Sequence, residues 1–444
     1  MKRILTNETT KYLEKKVKVC GWVHSIRSHG KIIFIDLRDG QGFLQIVFTP
    51  KNEDVYKIAQ KLDQEWVIKV QGKVQKRPKQ MINPKMKTGE VELQVDDVEI
   101  LSEAKEIPPM PVTEKEAEKV SSEKRLDWRW IDLRRPKNQL IFKVWSLVEH
   151  SFREYWLKNG YIEIHSPKLM SAASESGSEL FEIKYFKGKA FLAQSPQFYK
   201  QMAMAAGFEK VFEVGPVFRA NPSFTSRHDT EFTSYDMEIS FIESHQDVMS
   251  AEQEAVAYVL DKVKEKYGEE IEKKYNRKLV VPKIPFPQVT IKEAKQILKK
   301  LGIKSEKQGD LNPEEERKLG EYILKEKKHE FVFITEYPKE ARPFYHMRFE
   351  DRPKITKSFD LLFNGLEITT GAQREHRYDI LVKQAKEKKA DLKSLRHYFD
   401  FFKYGCPPHG GIGFGPSRFL MKIFNVSNVR EVTYLYRGVK RLTP

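Results

Sequence analysis

Residues 212–240 read FEVGPVFRANPSFTSRHDTEFTSYDMEIS. Phe212–Phe218 and Phe232–Ser240 are rich in β-branched and aromatic residues. The intervening stretch collects Asn, Pro, Ser and Thr, so the pattern predicts strand, loop, strand. The loop and its edges carry Arg219, Arg227, His228, Glu231 and Phe232. Guanidinium groups bind phosphate oxygens through paired donors, and an aromatic such as Phe232 can stack on a base. A hairpin with an ordinary charged tip is the alternative.

Similar runs recur on both sides: KAFLAQS, FVFITEYP, SFDLLFNGLEITTG and GIGFGPSRFL. Hairpin-like alternation predominates over βαβ alternation. The expected fold is therefore α+β, a mostly antiparallel sheet flanked by helices. QLIFKVWSLVEHSFREYWLKNG has apolar residues at helical spacing and stops at Asn-Gly. YIEIHSPKLM reads as a strand ending at Pro167, and the Lys/Glu-rich stretch 252–278 as a solvated helix.

The first hundred residues have another character. VKVCGWVHSI, KIIFIDLRD, GFLQIVF, WVIKVQGKVQKR and VELQVDDVEIL are short strand-like runs, with a helical pattern near Asp54–Leu62 before the fourth. About five such strands predict a small closed barrel of the oligonucleotide-binding kind. The Pro- and charge-rich stretch AKEIPPMPVTEKEAEKVSSEK reads as a hinge. The expected division is 1–104, 105–134 and 135–444.

The formal net charge is +16, which favours a polyanionic partner, nucleic acid first. The two cysteines, Cys20 and Cys406, form neither a disulfide framework nor a zinc site, so a reducing cytoplasm is expected. No apolar run approaches the ~20 residues that a membrane helix needs. There is no G-x-x-x-x-G-K-[ST] loop, so a P-loop ATPase is not supported. Any cation must then rest on carboxylates, as Mg²⁺ does when phosphates complete its shell. Asp360 and Glu367 lie seven apart, and a turn at Asn364–Gly365 could bring both to one site. In YGCPPHGGIGFGPSRFLMKIF a glycine-rich strand leads through Gly415–Arg418 into an apolar helix.

Taken in order, Pro167, Arg219 and Arg418 resemble the three signature segments of class II aminoacyl-tRNA synthetases. FLAQSPQFYKQ, FDLLFNGLEITTGAQREHRYDILV and the terminal RLTP are similar to archaeal-type aspartate enzymes. The resemblance implies an OB-fold anticodon-binding domain followed by a catalytic domain that activates L-aspartate with ATP and Mg²⁺. It implies Arg219 and Arg418 as the catalytic pair. ATP contacts would come from Arg219, Ala220, Asn221, Arg227, His228, Asp229, Phe232, Glu367, Gly415, Pro416, Ser417 and Arg418. Aspartate contacts would come from Glu175, Gln197, Phe198, Tyr199, Lys200, Arg219, Thr370 and Arg374. Asp360, Glu367 and Thr370 would hold the metal.

On the barrel, Phe34 and Gln45 match anticodon contacts. His24 matches relatives that load both tRNA(Asp) and tRNA(Asn), whereas Lys87 matches those that load tRNA(Asp) alone. The reading leans to His24, with tRNA(Asn) as a second substrate. A homodimer in the cytoplasm is implied, with neither membrane nor DNA as a partner. Two segments depart from the family pattern: FRAN stands for FRAE, so Asn221 replaces a glutamate, and GPSR stands for a GxER or GxDR form.

Overall fold

The computed structural model describes residues 1–172, 180–222, 225–305, 307 and 309–444. The chain forms two compact units, Met1–Leu140 with Pro444, and Ile141–Thr443.

In the first unit, strands β1 (Lys16–His29), β2 (Ile32–Asp39), β3 (Gly42–Phe48), β4 (Val67–Lys76) and β5 (Val91–Ser102) close into a barrel of order β1-β2-β3-β5-β4. Helix α1 (Glu53–Ala59) precedes β4, and Asn52 caps it by accepting from the Val55 N–H. Alternate residues fill the barrel, among them Val17, Val19, Ile33, Ile35, Leu37, Leu44 and Ile46. The stretch expected as a hinge holds three short helices, α2 (Glu114–Ala117), α3 (Ser122–Asp127) and α4 (Arg129–Asp132). There Met110, Val112, Ala117 and Ile131 form a small apolar cluster of their own.

The unit division falls within helix α5 (Pro136–Lys158). Beyond it, the expected strand around Pro167 is two short ones, β6 (Ile162–Glu163) and β7 (Leu169–Met170), because proline cannot donate to a ladder. Strands β8 (Glu182–Tyr185) and β9 (Gly188–Leu192) join β7 in a small sheet of order β7-β9-β8. The main sheet has eight strands in the order β12-β13-β14-β15-β16-β11-β10-β6. These are β10 (Lys210–Phe218), β11 (Glu231–Ser240), β12 (Gln288–Thr290), β13 (Phe331–Thr335), β14 (Ser358–Phe363), β15 (Leu366–Gln373) and β16 (His409–Phe414), with β6 at the edge. Only the outer pairs β12–β13 and β10–β6 are parallel, so the antiparallel expectation holds.

Helices cover the sheet. On α5, Phe152 meets the rings of Tyr235 and Phe414 at 5.5 and 5.0 Å. Helices α8 (Ile291–Lys300) and α9 (Pro313–Lys327) share a core with β13 and β14. Helix α6 (Gln197–Ala205) packs with α10 (Tyr378–Glu387) and α11 (Arg396–Asp400) around Phe198, Leu381 and Tyr398. Strand β16 runs into α12 (Pro416–Ile423), which α13 (Val429–Val432) follows.

Helix α7 (His245–Tyr275) corrects the expectation of a solvated helix at 252–278. Val256, Val259, Leu260 and Val263 are buried, and α7 packs on β15 and β16. The Lys/Glu pattern hides this because most of the charged residues occupy the outward face. Glu252 is buried too, and neither of its oxygens is hydrogen-bonded among the described residues. Burial first, then the nearby Asp360, pushes its carboxyl up to about 8. The folded state therefore keeps a proton that the unfolded chain gives up, and stability falls as pH rises from about 4.5 toward about 8. At pH 8.5, Glu252→Gln should melt higher than the wild type by about 3 °C or more, and the gap should shrink toward pH 5. Differential scanning fluorimetry across that range checks this.

Candidate active site

The site is laid out by strand register. Asp360 pairs with Thr370, Thr370 with Gly413, Gly413 with Asp236, and Asp236 with Glu213. These five residues form one row across β14, β15, β16, β11 and β10, on a single face. The next row along puts Leu361, Thr369, Phe414 and Tyr235 on the opposite, helix-covered face. The hairpin β14–β15 turns at Asn364 and Gly365, which have φ values of 43° and 69°. Two left-handed residues make the tight turn that suits strand twist. Its register sets Glu367 opposite Leu362, on the same face as Asp360. A bulge between Leu361 and Leu362 in that register brings Thr370, rather than Thr369, opposite Asp360. Asp360, Glu367 and Thr370 thus share one face despite their odd spacing.

Over this face lies a cavity of about 330 Å³. Its walls include Arg219, Asn221, Arg227, His228, Asp229 and Phe232 from the β10–β11 hairpin. Glu367, Thr370, Arg374, Gly415, Ser417 and Arg418 line it from the other side. Ala220 and Pro416 are not among the lining residues. Pro416 starts α12, where its missing N–H costs nothing.

Most cations of the cavity already have acids. Arg227 bonds both oxygens of Glu316 at 3.0 and 3.1 Å, and Arg342 holds Asp360 at 2.6 Å. Arg418 donates to the Glu367 carbonyl at 3.1 Å and to its carboxylate at 3.3 Å. Arg374 holds Glu238 at 2.9 Å. Arg219 differs. Among the described residues its guanidinium has no acid partner, and it stands over the Phe232 ring at 5.6 Å. The backbone there is fixed, since the Arg219 N–H donates to the Thr230 carbonyl at 2.9 Å.

The loop from 225 to 230 is laced to the C-terminal segment. Ser226 O accepts from Val429 N at 2.8 Å, His228 O from the Tyr436 hydroxyl at 3.2 Å, and Thr230 N donates to Arg437 O at 3.1 Å. Burial, reinforced by Arg418, Arg227 and Arg219, lowers the His228 imidazole to about 4, so it is neutral at pH 7. Burial raises Asp229 to about 7, against the single bond it accepts from Thr433 at 3.2 Å.

The residues expected around aspartate divide. Gln197 and Arg374 line the cavity, together with Ser195. Lys200 lies beneath the floor, 1% exposed, and gives its ammonium protons to Asp236 at 2.9 Å, the Ile412 carbonyl at 2.8 Å and Glu238 at 3.4 Å. Arg374 also bonds the Gly411 carbonyl at 2.9 Å and His346 Nε2 at 3.1 Å. Burial opposes a charge on Glu238, but Arg374 and Lys200 outweigh it and hold the carboxyl below its usual range. A Cβ on Gly411 would strike the Met237 carbonyl and the Glu238 carboxylate, so only glycine fits there. Burial drives His346 well below its usual range. Arg374 has no acceptor, so neutral His346 must accept at Nε2 and carry its proton on Nδ1. Phe198 and Tyr199, grouped with the aspartate pocket from sequence, turn instead into the apolar cluster with Tyr398. Glu175 lies outside the described residues.

On the metal side, burial and Asp360 push the Glu367 carboxyl up, and burial and Glu367 push Glu316 up to about 7. Asp360 Oδ1 is buried and without a hydrogen-bond partner among the described residues. Among those residues no three His, Cys, Asp or Glu side chains form a complete metal cage. Crowded hard oxygens with spare acceptor capacity suit Mg²⁺, whose remaining ligands come from phosphates and water.

On the barrel, Phe34 sits outside the core, opposite Arg27 and Val47. Gln45 is on the same face and bonds Glu92 at 2.8 Å and Arg27 at 3.3 Å. His24 is the extra residue of a bulge between Val23 and Ser25. It accepts from Arg38 through Nδ1 at 3.0 Å, and burial then Arg38 lower its basicity, so Nε2–H is the donor it has left. Lys87 is exposed in the turn before β5.

Five side chains at or beside the cavity escaped sequence reasoning: Asp236, Glu238, Glu316, Arg342 and His346. Strand parity with Phe232 and Ser234 could have found the first two. Glu316 sits in a charge run, and Arg342 and His346 lie in a loop without periodicity.

The family described as tRNA synthetases class II (D, K and N) matches residues 121–437. The chain belongs to the class II tRNA synthetases. The OB-fold nucleic acid binding domain matches residues 17–101 of the same synthetase. Aspartate–tRNA(Asp) ligase of Pyrococcus abyssi is 43% identical over 442 residues, 99% of each chain. Aspartate–tRNA(Asp/Asn) ligase of Methanopyrus kandleri is 44% identical, over 97% of this chain and 96% of that one. Asparaginyl-tRNA synthetase from Pyrococcus horikoshii, solved with asparaginyl-adenylate, superimposes with a TM-score of 0.90 at 31% identity and full coverage of both chains. Aspartyl-tRNA synthetase from Entamoeba histolytica gives 0.89 at 32%, covering 100% of this chain and 93% of that one. The fold is thus shared by aspartate and asparagine enzymes, and pocket chemistry must separate them. Class II synthetases use ATP. Arg219→Ala should therefore lower ATP–pyrophosphate exchange by about a hundredfold or more, with the melting temperature little changed.

Proposed function

We propose that this synthetase activates L-aspartate as aspartyl-adenylate and transfers it to tRNA(Asp). The observation that carries the choice of amino acid is Arg374, which lines the cavity with His346 beside it and Lys200 beneath. Aspartate and asparagine are nearly isosteric, so shape separates them poorly. Arg374 has only donors, and His346 orients one of its nitrogens. A carboxylate can accept from such a wall, whereas an amide NH₂ has no acceptor to meet there. Lys200 and Arg374 are offset by Asp236 and Glu238, so the wall discriminates by donor placement more than by net charge. Asp236, which also lines the cavity, is an acid on hand for the substrate ammonium group.

The α-carboxylate attacks the α-phosphorus in line with departing pyrophosphate. Arg219, with no competing acid among the described residues, can bridge the carboxylate and the phosphoryl oxygens as charge builds there. Phe232 offers its ring to adenine, and Arg418 stands at the start of α12 to hold the nucleotide. Glu367 and Asp360, with Thr370 beside them, would hold Mg²⁺, which supplies charge neutralisation at the phosphates when bound. Positioning provides the rest, since no side-chain nucleophile is required. The terminal adenosine of tRNA then takes the aspartyl group, with Phe34 and Gln45 of the barrel offered to the anticodon. Two copies of the chain act together in the cytoplasm, and a monomer by light scattering at micromolar concentration would overturn the dimer.

Aspartate should support pyrophosphate exchange, and asparagine and lysine should not. Arg374→Leu should cost about a hundredfold or more in aspartate kcat/KM, because the donors facing the carboxylate are lost. Exchange with asparagine alone would reject the substrate assignment. For tRNA choice, the neutral Nε2–H donor of His24 supports relaxed recognition, with tRNA(Asn) charged as well. Separate tRNA(Asp) and tRNA(Asn) transcripts test this. His24→Trp should reduce charging of tRNA(Asn) more than that of tRNA(Asp).

A further inference from the structure

Helix α9 brings one acid to the edge of the nucleotide cavity. Glu316 is 5% exposed, and its two oxygens bind Arg227 Nη1 at 3.1 and 3.0 Å. The Oε2 atom also accepts the Glu367 backbone N–H at 3.1 Å. One carboxylate therefore joins the 225–230 loop, α9 and the start of β15. The helix itself is immobilised against the hairpin. A Cβ on Gly320 would overlap the backbone of Gly365, so the two glycines pack in direct contact. Asn312 caps α9 with its side chain, which accepts from Glu314 and Glu315.

Arg227 is a long side chain on a loop, and ordering such a chain costs about 2 kcal/mol of rotamer freedom. Its contact with Glu316 engages Nη1, while among the described residues Nη2 meets the Pro313 carbonyl at a long 3.5 Å. The guanidinium is thus anchored at one nitrogen, and further donors remain at the cavity that Arg227 lines. Neither family signature nor charge pattern singles out Glu316. It sits in NPEEERKL, a run that reads as a solvated face.

We propose that Glu316 is a positioning residue for nucleotide binding: it holds Arg227 in place for the β- and γ-phosphates of ATP and ties that arginine to the strand carrying Glu367. The inference rests on Arg227 being an ATP contact, as in the proposed function. Pre-anchoring removes an ordering cost that would otherwise fall on ATP binding. An acid that merely competed with the phosphates would have the opposite effect.

The test compares wild type, Glu316→Gln, Glu316→Asp, Arg227→Ala and the Glu316→Gln/Arg227→Ala double variant. Aspartate-dependent pyrophosphate exchange in Mg²⁺ buffer gives kcat and both KM values, and equilibrium binding compares ATP with AMP. Glu316→Gln should raise KM for ATP about tenfold, as expected for the loss of a charge-assisted contact. It should leave KM for aspartate and the affinity for AMP within about twofold, because AMP lacks the distal phosphates. Glu316→Asp should fall between the two, and it carries the comparison if Glu316→Gln melts below the assay temperature. In the Arg227→Ala background the Glu316 change should have almost no further effect. An unchanged or lowered KM for ATP overturns the proposal. So does a parallel loss of AMP affinity, or effects that multiply in the double variant. A wild type without exchange for any amino acid would instead remove the reading of Arg227 as an ATP contact.

Discussion

The ionised carboxylate of Glu238 is the charge on which the end of the cavity proposed for the amino acid depends. It is fully buried, and Arg374 first, then Lys200, keep it charged there. In turn it fixes both cations, and through them α6, the end of β15 and the carbonyls of β16. Such networks contribute little net stability, because desolvation offsets the Coulomb attraction. Losing one partner is different, since the charge left behind costs about 3–5 kcal/mol. The arrangement is therefore a positioning device for Arg374 and Lys200, whose donors meet Glu238, Asp236 and the carbonyls of Gly411 and Ile412.

The end of the cavity proposed for the nucleotide follows another rule. There the arginines are attached to acids by one edge, and Arg219 is attached to none among the described residues. A polyphosphate entering this cavity meets donors that are oriented but not exhausted. Burial raises both Glu367 and Glu316, with Asp360 adding to the first and Glu367 to the second, so acids crowd together in this region. A cation arriving with the phosphates relieves that crowding.

The architecture was legible because it rests on patterns local in sequence. Alternation in VKVCGWV and KIIFIDL signals strands, and Asn364–Gly365 signals a tight hairpin. The antiparallel sheet then follows from how such hairpins stack. What escaped was parity and partnership. Glu252 reads as surface charge, yet α7 turns it toward the sheet. Phe198 and Tyr199 sit within a motif that reaches the pocket, but a helix sends successive residues in different directions, and these two enter an apolar cluster. Lys200 and Arg374 looked like bare cations because their acids lie on β11, more than thirty positions away from either. The extra residue that aims His24 is a register event that no single strand displays.

Strand β16 presents Gly413 to the cavity, and its carbonyls at Gly411 and Ile412 anchor Arg374 and Lys200. Its surface toward the ligand is bare main chain, which has no chemistry of its own to vary. Any shift in amino-acid preference on this scaffold must then come from residues standing around that strip. The strip can hold reacting groups at a constant height while the surroundings change, which is how one geometry can be kept while selectivity drifts.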